Sequence, residues 1–396
     1  MSLLGESISA LVAIKIKRRY DTFTDQYNRI FMVKMTILFS AFIGFNYFQD
    51  KVSCIVANVN GMDGGFVGSA CWIQGFYVFD EMRDRLDESG YYGIPKNMDY
   101  DGINPLGQLC STVDRALDKV TECQPMQRLY YLQYQYMPFF TASLAFFFYL
   151  PYILFKTVNF DIISLRDEIK DGEMSADKIF TSYFDRIVNN RRRMRYKSIL
   201  NIIIKLMYLI ANVLAFEACD SILHGDFRSY GTEFAKWVKY ENFERHDHNL
   251  KVRAVPKPGN ILLPPMGFCD IHEASRDVRN THINTHRFIC EISPHVLYQY
   301  VMLVFWFLLV IGIVISILGF FQHIMVHIAS YIQMNRHDPT GKLYRVLTLR
   351  EIDYLDILRL KSTSQYGTVL KKIREDRLDH VVDETEKLYP GKDTMF

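Results

Sequence analysis

The sequence lacks the features that would identify a soluble enzyme or a nucleic-acid-binding protein. Lysine and arginine number 46 against 44 aspartate and glutamate, so the net charge is only +2 and no basic excess points to a nucleic acid. The glycines at residues 61–68 match neither the dinucleotide-binding nor the phosphate-loop pattern, and the HExxH zinc motif is absent. No serine, cysteine or carboxylate pattern typical of catalysis stands out. We therefore expect no enzyme and no cofactor.

The N-terminal residues also do not show the pattern of a secretory signal peptide, so we expect none there. The apolar residues of Leu3–Ile16 come before the basic ones of Lys17–Arg19, which reverses the order found in a signal peptide. Their helical spacing predicts an amphipathic helix over residues 1–20. Two interpretations remain open, an anchor at the membrane surface or a segment that folds into a pore.

Long hydrophobic runs, in contrast, occur four times. Met137–Phe155 contains no charged residue, and at about 1.5 Å per helical residue it nearly covers a hydrocarbon layer of about 30 Å once its aromatic flank is included. The run of residues 297–321 is also free of charge. We predict transmembrane helices at residues 31–48, 137–155, 198–216 and 297–321.

The segments between these helices differ in charge and in cysteine content. Basic clusters flank the first three spans on the side that carries both termini, which predicts that this side is cytoplasmic. All seven cysteines fall in the two segments on the other side, where an oxidising exterior allows disulfides. The prediction is a cytoplasmic N-terminal segment, middle loop and tail (1–30, 156–197 and 322–396) and two extracellular loops (49–136 and 217–296).

The cysteine positions indicate disulfides between the extracellular loops. Two bridges among Cys54, Cys71, Cys269 and Cys290 have three possible connectivities, and sequence alone does not choose among them. Cys110 and Cys123 are predicted to form an additional local pair in the first loop. This leaves Cys219 free or buried beside the membrane.

Two further groups of polar residues have more than one interpretation. Lys205 lies inside the third span, and we favour a structural role, through pairing or snorkelling, over a functional charge. The pairs His246–His248 and His282–His286 could bind a metal if helical spacing placed the second pair on one face. Because the cysteines have a better use as disulfides, we expect no metal site.

Several short motifs, in register over residues 1–325, resemble the innexins, the invertebrate gap-junction proteins. Residues 133–138 (QYQYMP) are similar to the family's YYQWVP signature, and residues 71–77 (CWIQGFY) to its CWIQGTY element. Residues 205–210 (KLMYLI) and Cys269-Asp270 resemble two further innexin elements, and the run Asp21, Asp25, Asn28 also fits. The signature residues carried over are Tyr134, Gln135, Pro138, Trp72, Gln74 and Gly75.

The resemblance implies a membrane protein, mainly α, with four transmembrane helices per subunit, a disulfide-braced extracellular module, a helical cytoplasmic dome and assembly as a ring oligomer. It implies the bridges Cys54–Cys290 and Cys71–Cys269. Partners would be like subunits in the ring, an opposed ring docked through the extracellular loops, and the lipid bilayer of a plasma membrane at a cell junction. The pore-lining residues would belong to the N-terminal helix and include Met1, Ser2, Leu3, Leu4, Gly5 and Glu6.

Three functions agree with this picture, and they differ in what the loops do. The first is a gap-junction channel that passes ions and small molecules between cells. Residues 80–125, with Cys110 and Cys123, look like an insertion relative to the family pattern, which favours the second function, an undocked hemichannel that releases small molecules. The third is a tetraspan adhesion or scaffold protein with no pore.

Overall fold

The computed structural model describes residues 22–49, 52–56, 63–83, 89–91, 93–95, 110–111, 124–171, 175–240, 256–276, 281–337 and 347–388. Its helices are α1 (Phe23–Gln26), α2 (Val33–Gln49), α3 (Gly64–Gln74), α4 (Gln133–Val158), α5 (Phe160–Asp171), α6 (Ala176–Ile179), α7 (Arg191–Ile222), α8 (Phe227–Trp237), α9 (Pro258–Leu262), α10 (Ser293–His337), α11 (Leu349–Lys361) and α12 (Thr363–Leu388). Its strands are β1 (Ser53–Cys54), β2 (Phe76–Phe79), β3 (Ser89–Tyr91), β4 (Ile94–Pro95), β5 (Cys110–Ser111), β6 (Gln124–Pro125), β7 (Arg128–Tyr131), β8 (Met266–Arg276) and β9 (Thr281–Glu291).

Four helical segments in the described part of the chain are long and apolar enough to cross a membrane. They are residues 23–45, in which a π-helical turn (Tyr27–Met32) joins α1 to α2, together with α4, α7 and residues 293–329 of α10. Each of these helical segments extends beyond the apolar run that predicted it, and α7 does so through the arginines at its start, which are good helix formers. The fold is that of a mainly helical membrane protein.

The chain divides into two compact units, and the division falls within each of the long helices. One unit comprises Met1–Lys34, Phe146–Asn212 and Ile311–Phe396, and the other comprises Met35–Ala145 and Val213–Val310. We call them the dome unit and the module unit and describe each separately.

The module unit contains a five-stranded antiparallel sheet in the order β1-β9-β8-β2-β7. Its centre is the hairpin of β8 and β9, which pair from Met266↔Glu291 to Arg276↔Thr281. All four residues of β2 are buried, and the side chains of Tyr77 and Phe79 pack with Phe268 of β8 in one apolar cluster. Since β2 also pairs with β7, the chain leaves this sheet after Phe79 and returns to it at Arg128. The segment predicted to be an insertion, residues 80–125, falls between these two strands.

The dome unit has a helical core formed by α5, α6, α11 and α12 with the start of α7. Leu165, Phe184, Leu355 and Leu358 are among its fully or almost fully buried members. Thr348 caps the N-terminus of α11: its hydroxyl accepts from the backbone of Glu351, while the Glu351 carboxylate accepts from the backbone of Thr348. This capping box satisfies amides that the first turn would otherwise leave unpaired.

Candidate functional site: a disulfide-braced module and a buried polar cluster

Two disulfides join the two long loops into one covalent body within the module unit. Cys54 of β1 is bonded to Cys290 of β9, with an S–S distance of 2.02 Å, and Cys71 of α3 to Cys269 of β8, at 2.05 Å. These are the pairings that the family resemblance implied. They connect residues separated by 236 and 198 positions, so each restrains a large loop in the unfolded chain and contributes about 2–4 kcal/mol.

The sulfur atoms of Cys54, Cys71 and Cys290 lie within 4.8 Å of one another, a spacing at which thiolates can bind a metal. Here each sulfur is already in a disulfide, and a disulfide sulfur is not the thiolate that binds zinc. The cluster therefore consists of two adjacent bridges.

The helical arrangement considered for the histidine pairs is not found among the described residues. His246 and His248 lie outside them, and the helical spacing considered for His282 and His286 is wrong because both lie on strand β9. Four residues along a strand span about 13 Å, whereas one helical turn spans about 5.4 Å, so the two positions are not one helical turn apart.

The two innexin-like motifs meet at the C-terminal end of α3. The Tyr134 hydroxyl donates to the Trp72 carbonyl at 2.6 Å, and the Gln135 side-chain amide donates to the carbonyls of Trp72 and Ile73 at 2.7 and 3.2 Å. The last carbonyls of a helix have no partner within the helix, so these side chains supply the missing donors. The signature at the start of α4 thus fixes the end of the helix that carries Cys71.

Gly75 ends α3 in a conformation that other residues rarely adopt. Its φ is 93°, and a Cβ added there would lie 2.8 Å from the Leu132 side chain. Gln74, the last residue of α3, is exposed.

The carbonyl of Pro138 accepts a hydrogen bond from the Ser40 hydroxyl at 2.8 Å, which ties α4 to α2 within the module unit.

Asp270, beside Cys269, stabilises the centre of the sheet. Its carboxylate accepts hydrogen bonds from the Tyr77 hydroxyl at 2.8 Å and from the Arg287 guanidinium at 2.9 Å. Burial raises the pKa of Asp270, but the hydrogen bonds from Arg287 and Tyr77 outweigh this effect and leave its pKa below the usual value. The carboxylate is therefore ionised at neutral pH and holds β8 against β2 and β9.

The dome unit contains a buried polar cluster between three of the long helices. Lys205 of α7 forms an ion pair with Asp25 of α1, and both side chains are buried. Asn212 of α7 donates to Asn28 at 2.7 Å and to Ser316 of α10 at 3.2 Å. Lys205 is thus paired within the subunit, in agreement with the structural role favoured from the sequence.

The helices approach closely here because α10 carries glycine at two positions. A Cβ at Gly312 would lie 2.4 Å from the Asn212 side-chain oxygen, and one at Gly319 would lie 2.4 Å from the Thr24 hydroxyl oxygen. Sequence reasoning missed these residues, although Gly312, Ser316 and Gly319 form a stripe of small residues that is typical of close helix packing in membranes.

A second buried ionic group fixes the helical core of the dome unit, and it was also missed. Asp161 of α5 accepts from the fully buried Arg350 at 2.5 Å, from Lys197 at 3.0 Å and from the Tyr354 hydroxyl. Burial raises the pKa of Asp161, but the hydrogen bonds and positive charge of Arg350, with help from Tyr354 and Lys197, lower it to about 2.

Some predicted site residues lie outside the described part of the chain. They are the predicted pore-lining residues, Met1 to Glu6, and Cys123, the predicted disulfide partner of Cys110. The backbone of Cys110 itself is described and lies in β5. Cys219, on α7, is buried and free.

The comparison with known protein families identifies one family. The model described as Innexin matches residues 21–376, which is most of the chain. No curated protein matches the chain. Innexins form oligomeric channels in membranes, at gap junctions or as hemichannels, and are a channel family rather than an enzyme family. With four helices able to cross a membrane, two bridged loops and a family match over most of its length, the chain belongs to the innexin family.

Proposed function

We propose that the chain is a subunit of a gap-junction channel that passes ions and small molecules between adjacent cells. The observation that carries this proposal is the pair of disulfides that unites two long loops into one module. Tight docking requires a surface that orders little on contact, because ordering a flexible loop costs binding free energy. The braced sheet meets this requirement, and we infer that an opposed channel docks there.

Conduction in this proposal requires a ring of subunits around a common water-filled axis. Asn28, Asn212 and Ser316 are bonded to one another inside the subunit, and Lys205 is neutralised by Asp25, so these groups do not line a wide path within it. Closed rings are the usual way in which identical subunits enclose a path. We infer a homomeric or mixed ring of innexin subunits.

The proposed orientation places the termini and the dome unit in the cytoplasm. The start of α7 carries arginine at positions 191, 192, 193 and 195, and basic residues flanking a span favour the cytoplasmic side. The disulfides support the opposite location for the module unit, since the cytosol keeps thiols reduced. The protein would then be a multi-pass protein of the plasma membrane at cell junctions.

Coupling between paired cells tests the gap-junction proposal. Cells that lack endogenous coupling would express the chain, and junctional current and dye transfer would be recorded between pairs, with pairs in which only one cell expresses it as the control. The proposal predicts coupling only when both cells express the chain. Membrane currents in single cells without coupling between pairs would overturn docking and support a hemichannel.

The hemichannel is the second candidate because of the excursion between β2 and β7. The chain enters it after Phe79 and returns to the sheet at Arg128, so its residues belong to the module that would dock. A variant in which a short turn replaces residues 84–123 separates the two functions. Coupling gained by this variant would show that the native excursion prevents docking. The adhesion hypothesis, by contrast, predicts no conductance from purified oligomers in bilayers.

The N-terminal helix is proposed to line the pore. Deletion of Ser2–Ile8 removes most of the predicted pore-lining residues and is expected to change unitary conductance or gating while surface delivery is unchanged. An unaltered single-channel record would instead support the anchor interpretation.

A further inference from the structure

A cavity of 330 Å³ lies in the dome unit where α7 begins, and its two ends differ in character. Arg191 and Arg195 line it near the start of α7, and Ile199 and Ile202 line it further along. Leu349, at the start of α11, also lines it. The lining contributed by the described residues contains no acidic side chain. The cavity therefore presents positive charge at one end and an apolar surface at the other.

The helical spacing of the lining residues gives this gradient a direction. Positions 191, 195, 199 and 202 follow one another by three or four residues, so they form one stripe on one face of α7. At about 1.5 Å per residue, Arg195 and Ile202 are about 10 Å apart along the axis. The stripe thus passes from the basic end of the helix into its apolar, membrane-length part within two turns.

Both arginines are available for a ligand. Arg191 and Arg195 are exposed, and no carboxylate among the described residues pairs with either of them. Nearby cations are already used, since Lys197 and Arg350 both bind Asp161, at 3.0 and 2.5 Å. Two guanidinium groups one helical turn apart match the oxygen atoms of a phosphate, which arginine can bind in a bidentate manner.

We propose that this cavity binds an anionic phospholipid, with its headgroup phosphate on Arg191 and Arg195 and an acyl chain along Ile199 and Ile202. This inference rests on the proposed membrane topology, which places the basic end of α7 at the cytoplasmic leaflet, where anionic lipids are enriched. Ile199, Ile202 and Leu349 are 55%, 38% and 39% exposed, and a soluble phosphate would leave that apolar surface in water. The general preference of basic residues for the cytoplasmic side explains the charges but not the apolar cavity beneath them.

The test compares two charge-matched double variants in the full-length protein. Purified protein would be placed in nanodiscs of phosphatidylcholine, and binding of a fluorescent phosphatidylinositol 4,5-bisphosphate would be titrated. Arg191→Gln with Arg195→Gln is expected to weaken binding about tenfold or more, because both phosphate contacts are lost. Arg192→Gln with Arg193→Gln removes the same charge from the same turn, outside the lining, and is expected to change binding by less than about twofold. Equal losses in the two variants would overturn the site.

Further arms separate a lipid from a soluble anion and guard against misfolding. Ile202→Trp fills the apolar end of the cavity and is expected to weaken lipid binding while leaving the arginines intact. Full competition by inorganic phosphate or the soluble inositol headgroup, with no effect of Ile202→Trp, would overturn the lipid assignment. If the glutamine variant does not give intact oligomers, Arg191→Lys with Arg195→Lys replaces it, and undiminished binding would contradict the bidentate contact. A nanodisc exposes both leaflets, so this result does not depend on coupling, orientation or docking.

Discussion

The buried ion pair between Asp25 and Lys205 gives the most quantitative prediction for the helices. The two side chains are 3% and 6% exposed, and Lys205 also donates to the Thr22 hydroxyl at 3.2 Å. Removing one partner of a buried pair leaves an uncompensated charge, which costs about 3–5 kcal/mol. Lys205→Met should therefore destabilise the protein strongly.

The remaining contacts of Asp25 place the expected loss near the lower end of that range. Its carboxylate keeps hydrogen bonds from the backbone amide and hydroxyl of Thr22, at 3.2 and 2.8 Å. We expect Lys205→Met and Asp25→Asn each to lose about 3 kcal/mol of unfolding free energy. The double variant leaves no isolated charge and should lose less than either single one.

Equilibrium unfolding in mixed micelles, followed by tryptophan fluorescence, measures these losses. Lys236→Met is the matched control because Lys236 is exposed on α8, and its loss should stay below about 0.5 kcal/mol. Additive losses, which would bring the double variant to about 6 kcal/mol, would refute the argument that the two charges stabilise each other.

Three further predictions concern the module and the dome core. Cys54→Ser and Cys290→Ser should each abolish coupling, measured by dye transfer, while membrane insertion, measured by surface labelling, remains. Full coupling in either variant would show that the Cys54–Cys290 bridge is not needed. Gly75→Ala should lower the thermal midpoint of the purified protein because its φ of 93° disfavours a side chain, and an unchanged midpoint would contradict the close approach described there. Because Arg350 helps to lower the pKa of Asp161 to about 2, the stability that this carboxylate contributes is present above about pH 4 and is lost as the pH falls through 2. Asp161→Asn should remove about 2 kcal/mol of that pH dependence when unfolding is followed in acid titrations. An unaltered pH profile in the variant would contradict this role of Asp161.

The parts of the fold that depend on composition could be predicted from the sequence. The four apolar runs predicted the four membrane-length helices, since hydrocarbon thickness fixes the length of such a run. The ends of the helices could not be predicted in this way. Asp25, the partner of Lys205, lies before the predicted first span of residues 31–48, because hydropathy does not detect a polar helical turn.

The contacts between distant segments needed either the resemblance or the structure. The cysteine positions left three connectivities, and the strand pairing that brings Cys54 opposite Cys290 has no signature in local sequence. The meeting of Tyr134 with Trp72 likewise joins residues far apart in the chain. Asp161 and Arg350 were missed for the same reason, since neither belongs to a recognisable local motif.

The side of the membrane on which each unit lies is the central claim, and cysteine labelling on intact cells tests it most directly. Ser69→Cys places a thiol at an exposed position of α3 in the module unit, and Lys371→Cys places one at an exposed position of α12 in the dome unit. A membrane-impermeant maleimide should label Ser69→Cys on intact cells and Lys371→Cys only after permeabilisation. Labelling of Lys371→Cys on intact cells, with Ser69→Cys protected, would contradict the account.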